Sequence, residues 1–425
     1  MKNVKLLSQE ILEGHHDDRL LDIYIRPERV EREKKRLVSA IAEFTALYGE
    51  QEAEIYSAPG RSEIGGNHTD HQRGEVLAAS ISDDAIAVVA RTDAPQVRVL
   101  SKGYDMITVP LGAAKEDVEE GTTKALIAGV LAGTKDRGYA IGGFDAYVTS
   151  DVLSGSGLSS SAAFETIIGT VLSGLYNEEK ISAIEIAQIG QYAENVFFGK
   201  PCGLMDQMAC SVGSLCHIDF ADPEKPIVER VEFDLEKAGY CLCITDTKGS
   251  HADLTPDYAA VPAEMKSVAA LFDKEVLGQV PEETVLSNVA KIRKACGDRA
   301  FLRAVHFYEE NKRVQAETAA LKANDIAAFL EAVAASGKSS YQYLQNVYTC
   351  KDSVHQNVAV ALMLSEMYLG ENGVARVHGG GFAGTIQAFV KKEAAEEYQE
   401  KMDAVFDEGS CNVLGIRKYG GVKIM

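Results

Sequence analysis

The spacing of apolar and polar positions divides the chain into stretches of different character. Residues 1 to 50 are charged with helical periodicity and close on FTALYG. Residues 53 to 112 break into the short β-branched runs EIYSAPGR, GEVLAASI, DAIAVVARTD and QVRVLSKG. Each is bounded by Gly, Pro or Asp, the pattern of strands joined by turns. Residues 117 to 137 read as a helix and FDAYVTSDV as a strand. The loop SGSGLSSS then enters a helix reaching about Tyr176, with Ile167, Ile168, Val171, Leu172 and Leu175 on its apolar face. Ser182 and Glu185 form an S-x-x-E capping box that opens the next helix. Its apolar stripe is Ile186, Ile189, Ala193, Val196 and Phe197, and Glu194 falls at the margin of that stripe. Strand signals return from 209 to 248 in GSLCHIDF and GYCLCITDT. Residues 260 to 370 are mostly helical, with breaks at Asn324-Asp325, Ser336-Gly337 and around Thr349 to Asp352. VARVHGGGFAGTIQAFV reads as strand, glycine turn, then strand or helix, and YGGVKIM as a last short strand. Helices and sheets mixed without regular βαβα alternation predict an α+β fold.

Composition narrows the function classes. The 425 residues suit two or three domains. With 46% hydrophobic and 25% charged residues, this is ordinary globular composition. A formal net charge of -20 disfavours nucleic acid and anionic membrane as partners, because both would repel it. The eight cysteines contain no C-x-x-C pair and read as free thiols of a reducing compartment. The N-terminus MKNVKLLSQEILEGHHDD lacks the apolar core of a signal peptide. No apolar run approaches the roughly 20 residues of a membrane span. The expected location is cytoplasmic.

Four segments concentrate polar chemistry. APGRSEIGGNHTDHQRGEVLAASI places Arg61, Glu63, Asn67, His68, Asp70 and His71 in one loop before a strand, the side-chain types that grip hydroxyls, although a solvated turn has the same composition. SDVLSGSGLSSSAAFE runs a Gly/Ser loop into a helix N-terminus, where free N–H groups and a partial positive charge suit a phosphate and a hydroxyl suits Mg2+. A plain N-cap reads the same way. AENVFFGKPCGLMDQMAC sets the acidic Glu194 and Asp206 among apolar residues, where a carboxylate needs a partner or a function. RVHGGGFAGTIQAFV matches G-x-G-x-x-G at Gly379, Gly381 and Gly384, a pattern equally suited to a tight turn.

Together and in this order, APGRSEIGGNHTDH, GLSSSAA, AENVFFGKPCGLMDQ and GGGFAG resemble the blocks of the GHMP kinase superfamily, and of the galactokinases within it. The likeness runs from about Phe44 to Val390. It implies two α+β lobes, 1–210 and 211–425, with the active site between them. The implied reaction is ATP-dependent phosphorylation of galactose at its anomeric hydroxyl, with ATP and Mg2+ as cofactors. By position the resemblance makes Asp206 and Arg61 the catalytic pair, and Ser161 and Glu194 the metal ligands. Gly155, Ser156, Gly157, Leu158, Ser159, Ser160 and Ser161 become the phosphate cradle. Asn67, His68, Asp70 and Tyr258 fall at the sugar. The implied state is a monomer or weak homo-oligomer whose partners are a small sugar and MgATP, with no nucleic acid and no membrane.

The chain departs from the family pattern at several places. Asn67 stands for the family Glu expected at the sugar's C6 hydroxyl, and His71 for a Tyr. Glu63 stands for an Asn, Leu153 for a Pro and Ala383 for a Gly. An amide at 67 can donate to a C6 carboxylate, so galacturonate is the alternative substrate. On that reading Asn67→Glu preserves galactose use and removes uronate use. A non-catalytic sugar sensor is expected to lose the Ser161-Ala162 pair, which is intact here.

Overall fold

The computed structural model describes residues 1–152, 157–200, 202–249 and 254–425. Among these residues the strands are β1 (Lys2–Asn3), β2 (Glu52–Gly65), β3 (Glu75–Thr92), β4 (Gln96–Ser101), β5 (Ile107–Pro110), β6 (Gly143–Ser150), β7 (Leu215–Asp219), β8 (Ile227–Val231), β9 (Tyr240–Asp246), β10 (Gly373–Val377), β11 (Thr385–Lys391), β12 (Cys411–Leu414) and β13 (Val422–Lys423). They make two sheets. The larger runs β1-β2-β3-β6-β4-β5, with β13 paired to β2 and β7 and β8 continuing from β3. The smaller has the order β10-β11-β9-β12. The fold is the α+β mixture that the unalternated elements predict.

Strand periodicity explains the layers of the larger sheet. Successive side chains point to opposite faces. Tyr56, Ala58, Ala85, Ala87 and Val89 therefore pack with Ile127, Val130, Ile168, Val171 and Ile189 of the helices Thr123–Asp136, Ser160–Asn177 and Ala183–Tyr192. The alternate set, Ala53, Ile55, Ile86, Val88 and Ala90, packs under the N-terminal helices Val4–Leu12, Asp17–Tyr24 and Pro27–Tyr48 through Leu7, Ile11, Leu20, Leu37, Ile41 and Phe44. Residues 1 to 50 are thus the second cover of this sheet. The smaller sheet is covered by Phe329 and Val333 on one face and by Val358, Met402 and Phe406 on the other.

Three sequence expectations change. GEVLAASI and DAIAVVARTD are one strand, β3, because buried apolar residues flank Asp83-Asp84 on both sides. The helix expected from 117 begins at Thr123, where the Thr122 side chain accepts from the Ala125 N–H. No break falls at Ser336-Gly337: the helix Ile326–Ser339 runs through. There a Cβ on Gly337 would lie 3.0 Å from the Arg376 Cβ, so the glycine serves close packing against β10. β7 and β8 extend the larger sheet and β13 returns to it, since β3 is long enough to pair with β6 at one end and β7 at the other.

All eight cysteines are unbridged. No helix among the described residues is long and apolar enough to cross a membrane.

The N-terminal cover is fastened by a buried charge cluster. Asp84 accepts from the Tyr24 hydroxyl at 2.8 Å, Arg36 Nη1 at 2.5 Å, Arg417 Nη1 at 3.0 Å and the Ser57 hydroxyl. Burial favours the neutral acid, but the two guanidiniums outweigh it and hold the carboxyl below its ordinary value of 3.8. Removing one member of a buried charge network costs about 3–5 kcal/mol. Asp84→Asn is therefore expected to lower stability by about 3–5 kcal/mol at pH 7, read by urea unfolding. Because the folded pKa is depressed, this contribution is complete above pH 3.8 and fades as pH falls below it, so wild type and variant converge in acid.

Candidate active site

The site forms where the far end of β2 leaves the larger sheet and meets the smaller one. Register shifts at Pro59/Arg61 and Glu63/Gly65 bend β2. Arg61 and Glu63, expected in a loop, are strand residues, and the bulges turn them toward the cleft and the second sheet. Gly60 lets the serine-rich loop lie against the strand, since a Cβ there would be 2.8 Å from the Leu158 carbonyl oxygen. The Arg61 N–H donates to that carbonyl at 3.1 Å, and its guanidinium donates to the Gly157 carbonyl.

Arg61 and Asp206 meet as the sequence predicts. Arg61 Nε and Nη2 both reach Asp206 Oδ1, at 2.8 and 2.7 Å, while the Ser159 hydroxyl donates to Oδ2. Asp206 opens the helix Met205–Val212 and leaves about a third of its side chain exposed (33%). Burial opposes its ionisation, but Arg61 and the Ser159 hydroxyl prevail and hold its pKa below the ordinary value. It is an ionised, weakly basic carboxylate, partly open to solvent. Asp70 lies beside it. A Cβ on Gly203 would be 2.6 Å from Asp70 Oδ2, so the glycine of PCG is what lets this loop close on Asp70. Burial, and then Asp206, raise the Asp70 carboxyl against the His71 N–H and Arg61.

Of the phosphate cradle, Gly155 and Ser156 lie outside the described residues. Gly157, Leu158 and Ser159 precede the helix Ser160–Asn177, with Ser159 in left-handed backbone at φ 57°. This helix presents its N-terminal N–H groups and positive dipole end to the cleft beside Asp206. One residue on, Ser161 Oγ approaches Glu194 Oε1 at 3.4 Å. Glu194 does not ride an α-helix margin as its stripe suggests. Residues Ala193–Phe198 are wound as a π-helix, which turns the carboxylate inward until it is 3% exposed. Such turns recur at functional sites. Two hard oxygens converging on one point beside a phosphate cradle are a fitting donor pair for Mg2+, whose remaining positions phosphates and water normally fill. Lys200 Nζ lies 3.0 Å from the same Glu194 oxygen. Gln207 and Glu165 stand behind it, the latter pushed well up by burial and by Glu194. These three residues escaped sequence reading. The available signal was their place inside the motif segments AENVFFGK, MDQ and SSSAAFE.

The expected sugar residues are placed less simply. Asn67 is completely buried. Its Nδ2 donates to Glu63 Oε1 at 3.0 Å and the Gly379 carbonyl at 2.6 Å, and its Oδ1 accepts from Asn346 at 2.8 Å and Ser340 at 3.2 Å. No donor is left for a C6 carboxylate, which removes the argument for galacturonate drawn from this amide. A glutamate at 67 would instead oppose Glu63 and a carbonyl, neither of which it can donate to. Glu63 and Asn67 are the family's Asn and Glu with places exchanged, and they are hydrogen-bonded to each other. Arg376 Nη2 holds the transferred carboxylate at 2.6 Å. Burial nevertheless pushes Glu63 up to about 7.

His68 is also committed. Leu277 N–H donates to Gln72 Oε1, which turns the Gln72 amide nitrogen toward His71 Nδ1. His71 Nε2 must then carry its proton and donate to His68 Nδ1 at 3.2 Å, and His68 Nε2 donates to the Gly380 carbonyl at 3.1 Å. Both rings are neutral, with burial lowering His68 to about 4 and His71 well below its ordinary value. Tyr258 donates to the Gly381 carbonyl at 2.7 Å and packs edge-on to Phe382. The glycine block is a turn packed against these residues. A Cβ on Gly380 would strike Tyr258 at 2.6 Å, and one on Gly381 would strike the Asn346 carbonyl at 2.1 Å.

Comparisons with known proteins point to one family. The GHMP kinases N terminal domain matches residues 125–214, and the galactokinase galactose-binding signature matches residues 42–91. The chain is 30% identical over 368 residues to a galactokinase of Streptomyces coelicolor, spanning 85% of this chain and 91% of that one. A galactokinase of Glaesserella parasuis is 30% identical over 357 residues, 83% and 89% of the two chains. The crystal structure of Lactococcus lactis galactokinase complexed with galactose superposes with TM-score 0.77 at 25% identity, covering 91% of this chain and all of that one. A mevalonate kinase structure shares the fold, with TM-score 0.59 at 14% identity over 85% of this chain and 99% of that one. With Arg61, Asp206 and the serine loop joined as described, the chain belongs to the galactokinase family of the GHMP kinase superfamily.

Proposed function

We propose that this protein phosphorylates galactose at its anomeric hydroxyl, taking the γ-phosphoryl group of ATP and releasing galactose 1-phosphate and ADP. The observation that carries the reading is the Arg61–Asp206–Ser159 contact at the mouth of the serine loop. It puts an ionised carboxylate and a guanidinium beside the helix N-terminus that suits the phosphates. Phosphoryl transfer demands mainly positioning and charge stabilisation. In this role Asp206 accepts the anomeric O–H and orients its oxygen toward the γ-phosphorus. The new O–P bond forms as the bond to the bridging oxygen breaks. The hydroxyl proton leaves toward Asp206, whose low basicity places that transfer late. Arg61 keeps Asp206 ionised and shares the charge of the transferring group. Asp70 faces the sugar side of the same cleft. Mg2+, when held by Ser161 and Glu194, would supply neutralisation of phosphate charge. We place the enzyme in the cytoplasm, where its unbridged thiols stay reduced.

Release of ADP with galactose, N-acetylgalactosamine, galacturonate, glucuronate and arabinose tests the substrate; turnover on galacturonate alone would overturn it, and none on any sugar would leave a sensor. Asp206→Asn is expected to lower kcat by about 10²–10⁴-fold while galactose still binds. Arg61→Met should lower kcat and move the acid limb of the kcat/KM profile upward by about 1–3 pH units, because Asp206 then protonates more readily. An unmoved limb would separate that limb from Asp206. Asn67→Glu alone sets two carboxyl groups together in the interior and is expected to lower both Tm and galactose turnover. The exchange Glu63→Asn with Asn67→Glu should recover part of each loss. Equal damage in the double variant would show that the two positions are independent.

A further inference from the structure

Two buried side chains lie behind the metal pair and take no part in the reaction above. Gln207 has no exposed surface and Glu165 has 1%. The amide nitrogen of Gln207 donates to Glu194 Oε2 at 2.8 Å and to Glu165 Oε2 at 3.1 Å. An amide nitrogen has two hydrogens, so both are engaged. The other oxygen of Glu194, Oε1, faces Ser161 at 3.4 Å and Lys200 at 3.0 Å. One carboxylate oxygen is therefore tied inward and the other is offered outward.

The arrangement cannot be inverted cheaply. Were the amide turned over, Gln207 Oε1 would meet the Glu194 Oε2 acceptor, and acceptor against acceptor is costly in a dry interior. Glu194 Oε2 and the Glu165 oxygen that accepts the second hydrogen hold the nitrogen end of the amide toward Glu194. They do so although Gln207 Oε1 and Glu165 Oε1 are left without partners among the described residues. Space for the pair comes from Gly190, where a Cβ would lie 3.0 Å from Glu165 Oε2 and 3.1 Å from the Gln207 Cγ.

We propose that Gln207, oriented by Glu165, is a positioning residue that holds Glu194 in the rotamer presenting only Oε1 to the metal it shares with Ser161. The inference rests on the reading of Ser161 and Glu194 as Mg2+ ligands. Without the bridge, Glu194 gains rotamers that turn both oxygens inward or carry Oε1 away from Ser161. Partners that orient a metal ligand from behind typically contribute 10–100-fold to metal affinity.

The test reads the metal directly. Mn2+ is titrated into the protein–ADP complex and free Mn2+ is followed by electron paramagnetic resonance, for wild type, Glu194→Ala, Gln207→Met, Glu165→Leu and Glu165→Gln. Gln207→Met is expected to weaken Mn2+ binding by about 10–100-fold while binding of galactose and of metal-free ADP persists. Glu165→Leu should weaken it as well. Glu165→Gln keeps an acceptor for the amide and should stay within about threefold of wild type. If Gln207→Met does not fold, the contrast between Glu165→Leu and Glu165→Gln carries the test. Wild-type affinity in Gln207→Met, or equal losses in the two Glu165 variants, overturns the positioning role. Wild-type affinity in Glu194→Ala overturns the metal assignment beneath it, and this inference with it.

Discussion

A guanidinium with no surface of its own sets the geometry between the two sheets. Arg376, on β10, donates to Glu63 Oε1 at 2.6 Å, the Ile64 carbonyl at 2.8 Å and the Val377 carbonyl at 3.0 Å. A charge buried this deeply must be paired, because leaving it uncompensated costs several kcal/mol. The pairing draws the end of β2 onto the smaller sheet. Glu63 then takes the Asn67 amide, and Asn67 takes the 340–346 segment and the glycine turn. Glu310 completes the fastening by accepting the Gly66 and Asn67 N–H groups while holding Arg313. The 63–67 segment therefore sits where the burial of one arginine requires it.

The same constraint explains how a chain of net charge -20 can present a site for a polyanion. Its positive potential is local: Arg61 beside Asp206, Lys200 beside Glu194 and a helix N-terminus near both. Two acidic groups of the cleft are paired with cations, Asp206 with Arg61 and Glu194 with Lys200. The remaining surface charge can then serve solubility without reaching the phosphates.

Much of this was legible in the residues. The helix after SGSGLSSS, the capping box at Ser182 and the turn at HGGGFAG follow from local chemistry, which a sequence carries directly. Arg61 with Asp206 and Ser161 with Glu194 were legible because the motif blocks keep their order. What escaped depends on contacts between distant segments. Asn67 looked like a sugar contact because its exchange with Glu63 becomes visible only when both are seen to share a hydrogen bond. The hydrogen bonds of His68 have no signal in the sequence, because Gln72 and Leu277, which decide its proton, act through the fold. Ser336-Gly337 looked like a helix end because nothing local shows that β10 packs against it.

The π-helical turn at Ala193–Phe198 ties the placement of the Glu194 carboxylate to residue count as well as residue type. Each residue of an α-helix turns its successors by about 100°. A single deletion between Ala193 and Phe198 would relax the turn to α and swing Glu194 or the segment leading to Asp206 out of register, with every functional side chain still present. Length is thus itself under constraint in this stretch. Relatives that keep the chemistry should tolerate changes of side chain here more readily than insertions or deletions.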